Sequence, residues 1–320
     1  MLSAAHARAQ AREARDWPEA DRLRGEIESA GWKIVDRGTD FALSPARPPD
    51  ITDGDRLRFG SSQSVPSRLD EAPVGLASVI LIATDWPGDL ARALAGLRAT
   101  SPVGTSVVIV ADSPSPEQQA ALEHVDAPGA SDGLPAEVVW TGERLGNTAA
   151  INIGLRRAIG PITILLDSRL EPTGDIVTPL ARALDDPTVA VAGGWGIISQ
   201  DLRTFVDAPA GDVDAIEGSC QVFRRADYAE RGPLPELFRS EGTLAIWWSL
   251  VLRDGGEGQT PRRAVCLDRL PIGQHERRPD TSLAGGDRDR PSKRDFYRIL
   301  DRFGDRRDLL VRPGGRPARA

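Results

Sequence analysis

Cysteine is scarce: the 320 residues hold two, Cys220 and Cys266, both in apolar, strand-like surroundings. Nothing in that pattern demands a disulfide, and a reducing compartment suits it. No basic start runs into an apolar stretch as a secretory leader would. No apolar run approaches the roughly 20 residues that a membrane-spanning helix needs. The expected location is the cytoplasm, with peripheral attachment at the inner membrane face as the alternative. Lysine occurs only at 33 and 293, so 38 of the 40 basic residues are arginine. High-GC codon bias explains that before any function does. Positive charge is also short overall, since 47 acidic residues against 40 basic ones give a net charge of −7. Nucleic-acid binding needs a basic surface, so no nucleic-acid partner is expected. What remains is 40% apolar and 27% charged, enough for a real core. The length allows one large domain with an appendage, or two domains.

The stretch that organises the rest is ITILLDSRLEPTGD, residues 162–175. Its apolar start (Ile162, Ile164, Leu165, Leu166) suits a strand buried on both faces. The run stops at Asp167, where such a strand would emerge, and ligands of open α/β sheets bind outside the strands' carboxyl ends. Arg169, Glu171 and Asp175 follow, around the turn Pro172-Thr173-Gly174. Asp167 either helps to hold a divalent cation against a phosphate or caps the next turn.

Residues 1–47 read as a helical hairpin plus a β-hairpin. Trp17-Pro18 separates the two helices, with Pro18 suited to a first turn. Ala20, Leu23 and Ile27 share a face, and Gly31 suits a left-handed C-cap. Residues 48–75, rich in Pro, Ser, Asp and Gly, read as a linker. From Leu76, strands and helices alternate: ASVILIAT, DWPGDLARALAGLRAT, SVVIVAD, SPEQQAALEHV, EVVWTG, LGNTAAINIGLRRAIG and then ITILLD. That alternation predicts a mostly parallel sheet with helices on both faces.

Residues 3–43 resemble the small C-terminal helical module of cysteinyl-tRNA synthetases, which helps contact tRNA. The segment AREARDWPEADRLRGEIESAGWKIVDRGTDFAL carries the likeness. Residues 1–47 hold eight basic and eight acidic residues, which leaves no net charge for phosphates. Packing or docking is the favoured role.

The segments ASVILIATDWPGDLARAL, SVVIVADSPSP and ERLGNTAAINIGLRRAIGPITILLDSRLEPTGD together resemble family 2 glycosyltransferases of the GT-A fold. EGSCQVFRRADY and LPIGQHERR extend the likeness, which covers about Leu76 to Arg278. The resemblance implies an α/β, Rossmann-like domain over 76–280; beyond it, the residues read as a C-terminal helix and tail over 281–320. It also implies a nucleotide-diphospho-sugar donor, a saccharide, lipid-linked or other hydroxyl acceptor, inversion at the transferred carbon, and Mg or Mn. Carried over residue by residue, Thr84 would lie beside the nucleobase. Asp112 would accept a hydrogen bond from base or ribose, unless it caps a turn with Ser113. Gly146 and Asn147 would open a helix whose N–H groups face phosphate or sugar. Asn152 would touch the donor or satisfy itself in the core, and His275 would bind metal or phosphate. His6 and His124 have no such match and read as solvated.

Two places depart from the family pattern. The D-x-D place reads Asp167-Ser168-Arg169, and a guanidinium cannot ligate a cation. Either Glu171 replaces the lost oxygen ligand, or Arg169 itself neutralises the diphosphate, or catalysis is lost. The acidic residue expected near the start of the helix IWWSLVLR falls on Ala245. Glu241 is the nearby carboxylate, either a displaced general base or surface charge. Trp247 and Trp248 would stack on a sugar or pack in the core. A last helix places Phe296, Ile299, Leu300 and Phe303 on one face, with Asp295, Asp301 and Asp305 expected in a solvated one.

Overall fold

The computed structural model describes residues 2–37, 40–45, 47–83, 86–125, 133–256, 258–275 and 293–311. The chain opens with α1 (Leu2–Glu13), α2 (Trp17–Ser29) and the hairpin β1 (Trp32–Arg37) and β2 (Asp40–Pro45). Two short strands follow, β3 (Ile51–Asp53) and β4 (Arg56–Phe59). Next come β5 (Ala77–Ala83), α3 (Pro87–Thr100), β6 (Thr105–Ala111), α4 (Pro116–Val125), β7 (Ala136–Thr141), α5 (Asn147–Arg157) and β8 (Ile162–Leu166). The chain continues through β9 (Leu170–Pro172), α6 (Val177–Ala183), β10 (Val189–Gly193), β11 (Gly196–Ser199), β12 (Phe205–Ala208), β13 (Gly211–Val213) and β14 (Ala215–Ile216). It ends with β15 (Cys220–Arg224), α7 (Arg225–Arg231), α8 (Glu241–Arg253), β16 (Arg263–Cys266), β17 (Ile272–Gln274) and α9 (Lys293–Phe303).

The N-terminal elements carry a small core of their own. Asp16 caps α2 by accepting the Glu19 N–H at 3.2 Å, and Pro18 sits in the first turn. Gly31, just past that helix, is left-handed at φ 80°, where a side chain would be strained. Ala5, Ile27 and Ile34 form the buried centre, packed by Trp32, Phe41 and Leu43. The buried Arg8 donates through Nη1 and Nη2 to Asp36 at 2.7 and 3.2 Å, and its guanidinium holds that carboxyl below the usual range.

The main sheet has ten strands in the order β13-β16-β10-β15-β8-β5-β6-β7-β4-β3. From β8 through β5, β6 and β7 to β4 the strands are parallel. Strand β15 adds to β8 antiparallel. The continuous apolar runs of β5 and β6 are buried on both faces, as parallel strands between helix layers must be. Ile80, Ala150, Ile153 and Trp248 belong to the core on one face; Val79, Leu81, Leu90 and Val177 belong to the other. Helix α5 lies so close to β5 that a Cβ at Gly154 would sit 2.4 Å from Ile80 Cγ2. After β5 the chain steps outward through β6 and β7, then returns to place β8 on the other side of β5. That reversal makes a switch point, and the crevice at the carboxyl ends of β5 and β8 is where such sheets bind ligands.

Two expectations change here. Residues 48–75, read as a linker, supply β3 and β4 to the sheet edge, with Arg58 opposite Trp140 and Phe59 opposite Thr141. Arginine side chains hold the remainder. Arg156 donates to the Val65 carbonyl at 3.0 Å, Arg157 to that of Pro66 at 2.9 Å, and Arg225 to those of Arg68 and Glu71. These are side-chain-to-backbone bonds over long separations, which leave no local pattern. The second change concerns α9. Asp295, expected in a solvated face, is fully buried and accepts the N–H groups of Arg239 and Ser240 at 2.8 and 2.9 Å. It thereby fixes the turn that leads into α8. No described helix is long and apolar enough to cross a membrane.

Candidate functional site

At the end of β8 the backbone turns at once, with the Leu170 N–H donating to the Asp167 carbonyl at 2.9 Å. The Asp167 N–H donates to the Ser219 carbonyl at 2.8 Å, tying this turn to the loop before β15. The turn folds Arg169 back over Asp167. Its Nε lies 2.9 Å from both carboxylate oxygens, its Nη2 donates to Oδ2, and its backbone N–H reaches Oδ1 at 2.8 Å. The Asp167 pairing, against the opposing effect of burial, raises the Arg169 pKa, and the charges of Glu241 and Asp89 add to it. Arg169 is thus a permanent cation among carboxylates from three elements. Asp89, in the first turn of α3, is buried and paired with Arg92. Sequence reasoning passed over it, because an acid in a first turn reads as ordinary helix chemistry.

Glu171 and His275 meet beside this turn. Strands β9 and β17 pair antiparallel with Gly273 opposite Glu171, and His275 Nε2 lies 2.6 Å from Glu171 Oε2. The three expected metal ligands are therefore split into two pairs, Asp167 with Arg169 and Glu171 with His275. Among the described residues no group of three or more His, Cys, Asp or Glu side chains is placed to hold a metal ion. The donor set does not fit a divalent cation, since a guanidinium already occupies the Asp167 carboxylate and would repel a second positive charge.

The end of β6 differs. Asp112 is 2% exposed and accepts the N–H of Leu145 at 2.8 Å, the N–H of Gly146 at 3.0 Å and the Thr141 hydroxyl at 3.2 Å. Burial raises its pKa and these three donors oppose the rise. Gly146, at φ 95°, allows the turn that brings both amides onto the carboxylate. The Asp112 oxygens accept from the protein's own loop, and the Gly146 N–H is one of the donors that they take up. Thr84 lies outside the described residues.

Asn152 takes the core alternative of its two expected roles. It is 1% exposed; its Nδ2 donates to the Leu234 carbonyl and Glu236, and its Oδ1 accepts the Leu234 N–H and the Tyr228 hydroxyl. Those four bonds satisfy the amide within the core and leave nothing for a donor. Trp248 is 1% exposed, edge-on to Phe223 and Tyr228 at 5.5 and 6.0 Å, and Trp247 packs on Phe238 at 5.6 Å. Both rings belong to the core rather than to a sugar platform.

Helix α8 is capped by Ser240, whose Oγ accepts the Thr243 N–H at 3.3 Å. Glu241, its first residue, is exposed, and its charge reaches Arg169. Ala245 is buried one turn on, where a Cβ at Gly218 would lie 3.3 Å from both Ala245 Cβ and Glu241 Cγ. The loop before β15 therefore passes directly over this turn, and Glu241 stands at its rim. Two depressions, of about 500 and about 160 Å³, lie at the β3–β4 edge of the sheet, lined by residues such as Asp53, Glu123, Phe59 and Trp140. They lie at the far edge of the sheet from β8, and the charged cluster at β8 is the better candidate on chemistry.

The family match and structural likenesses place this α/β sheet in the GT-A glycosyltransferase fold. Residues 78–232 match the family model for glycosyl transferase family 2. The chain is similar in structure to mannosyltransferase PcManGT from Pyrobaculum calidifontis in complex with GDP-Man and Mn²⁺, at 18% identity over 65% of this chain and 59% of that one, TM-score 0.46. GalNAc-T7 with UDP, GalNAc and Mn²⁺ is similar at 16% identity over 77% of this chain and 53% of that one, TM-score 0.56. S. aureus TarS 1-349 in complex with UDP-GlcNAc is similar at 15% identity over 75% of this chain and 68% of that one, TM-score 0.52. The chain spans little more than half the length of the first two of these, and at such identities the likeness is one of fold. No curated protein matches. The family match begins at residue 78 and does not include the N-terminal module.

Proposed function

We propose that this protein is a glycosyltransferase that moves a sugar from a nucleotide-diphosphate donor to an acceptor hydroxyl. The observation that carries the reading is the charged turn at the carboxyl end of β8, inside the segment that matches glycosyl transferase family 2. The donor diphosphate lies over that turn and the nucleoside extends toward the ends of β5 and β6. Asp112 acts indirectly, by holding loop 141–146 that borders the crevice.

The transfer is a single displacement. The acceptor oxygen bonds to the anomeric carbon as that carbon's bond to the phosphate oxygen breaks, and the electron pair leaves with the nucleoside diphosphate. Glu241 takes the acceptor proton, because it is the carboxylate at the rim of α8 within electrostatic reach of Arg169. Attack opposite the leaving group inverts the centre. A second reading, a binding or scaffold protein that retains the fold without turnover, is favoured by the buried Ala245 at the expected acidic position.

UDP, GDP and dTDP sugars titrated calorimetrically into the full chain, followed by assay of nucleotide release, test the reading. UDP sugars come first, since two of the similar structures hold UDP or UDP-GlcNAc. Saturable binding with slow release of the nucleoside diphosphate supports an enzyme, and binding without release supports the scaffold. Absence of binding by every donor contradicts the enzyme and leaves the scaffold.

A further inference from the structure

The geometry points to Arg169 as a resident cation: it meets the donor diphosphate directly, at the D-x-D position where the family resemblance leads to the expectation of a metal ligand. This rests on the reading of the β8 turn as the donor site. A guanidinium has five N–H donors in a planar fork. Asp167 engages only one edge of that fork, through Nε and Nη2. Among the described residues the opposite edge, Nη1 with its two hydrogens and the remaining hydrogen of Nη2, makes no hydrogen bond. The side chain is 26% exposed. A phosphate presents two oxygens at the spacing such an edge recognises.

The surroundings suit the task. Asp167 locks the guanidinium's orientation, and Asp89 and Glu241 add negative charge from two other elements. These neighbours keep Arg169 protonated through any working pH and reduce the cost of holding a half-buried cation when no ligand is present. They also explain why a carboxylate remains at Asp167 once a metal-ligand role is gone: it has become the positioning residue of the arginine. Glu171, the other candidate ligand, is paired with His275 rather than with Asp167.

Two measurements test this. In the first, the electron paramagnetic resonance signal of free Mn²⁺ is followed as protein is added. The full-length wild type should leave the signal unchanged, while Arg169→Asp, which restores a second carboxylate two residues after Asp167, should diminish it. In the second, nucleotide sugars are titrated in EDTA and in Mn²⁺. Wild-type affinity should be equal in both, Arg169→Ala should lose about ten- to a hundredfold, and Arg169→Lys should fall between, keeping charge without the fork. Uptake of Mn²⁺ by the wild type, or donor binding that disappears in EDTA, overturns the inference while leaving the donor site in place. Failure of every donor in both buffers overturns the donor site and the inference together.

Discussion

Strands β6 and β8 both end in an aspartate, yet the two carboxylates have been put to different uses. Asp112 is sealed at 2% exposure and meets two backbone amides and a hydroxyl of its own chain. Asp167 meets a side-chain cation that is 26% exposed. One strand end is closed by structure and the other by a charge that can be shared with a ligand. A carboxylate at a strand end is therefore a position rather than a role, and what decides the role is the partner that the next turn brings back to it.

The largest effect that would sharpen this contrast is expected at β6. Asp112→Ala leaves the Leu145 and Gly146 amides buried without acceptors and should cost about 2–4 kcal/mol in denaturant unfolding. Asp295→Ala, which strips the same kind of support from Arg239 and Ser240, should cost about 2–3 kcal/mol in the same experiment. At β8 the stability effect should be smaller: Asp167→Ala frees a side chain already in contact with water and should cost about 1 kcal/mol. Smallest is His275→Ala, about 0.5 kcal/mol or less, because both partners of its pair with Glu171 are more than a third exposed. A large loss for Asp167→Ala beside a small one for Asp112→Ala would break the comparison.

The pH dependence of stability offers a finer check. Burial raises the folded-state pKa of Asp112 above its unfolded value. The stabilisation linked to this proton is fully present below the ordinary aspartate pKa of about 4 and is lost as pH rises through the raised value. Wild type relative to Asp112→Asn should therefore lose stability as pH climbs through that window.

The legible parts of the chain were those written in short-range pattern. Apolar runs gave away β5, β6 and β8; the Pro18 and Gly31 punctuation bounded α2; and the stop at Asp167 marked a strand end. What stayed hidden depends on partners distant in sequence. Asn152 is satisfied by Leu234, 82 residues further on, and so reads identically whether it serves a donor or the core. The strands in 48–75 are three and four residues long, and the residues after them are held by arginines from α5 and α7, so the segment's composition reads as loop. Trp247 and Trp248 illustrate the same limit, since a ring looks alike in sequence under a sugar or under Phe223. Arg169 was visible as an anomaly, but its bond to Asp167 required the turn geometry.

The most direct measurement is one calorimetric titration run on two variants, Arg169→Ala and Asp112→Asn, with the nucleotide sugar that binds the wild type, at a temperature where both remain folded. The expected result is affinity near that of the wild type for Asp112→Asn and a loss of about ten- to a hundredfold for Arg169→Ala. Undiminished binding by Arg169→Ala, or a loss confined to Asp112→Asn, would contradict the assignment of structure to β6 and chemistry to β8.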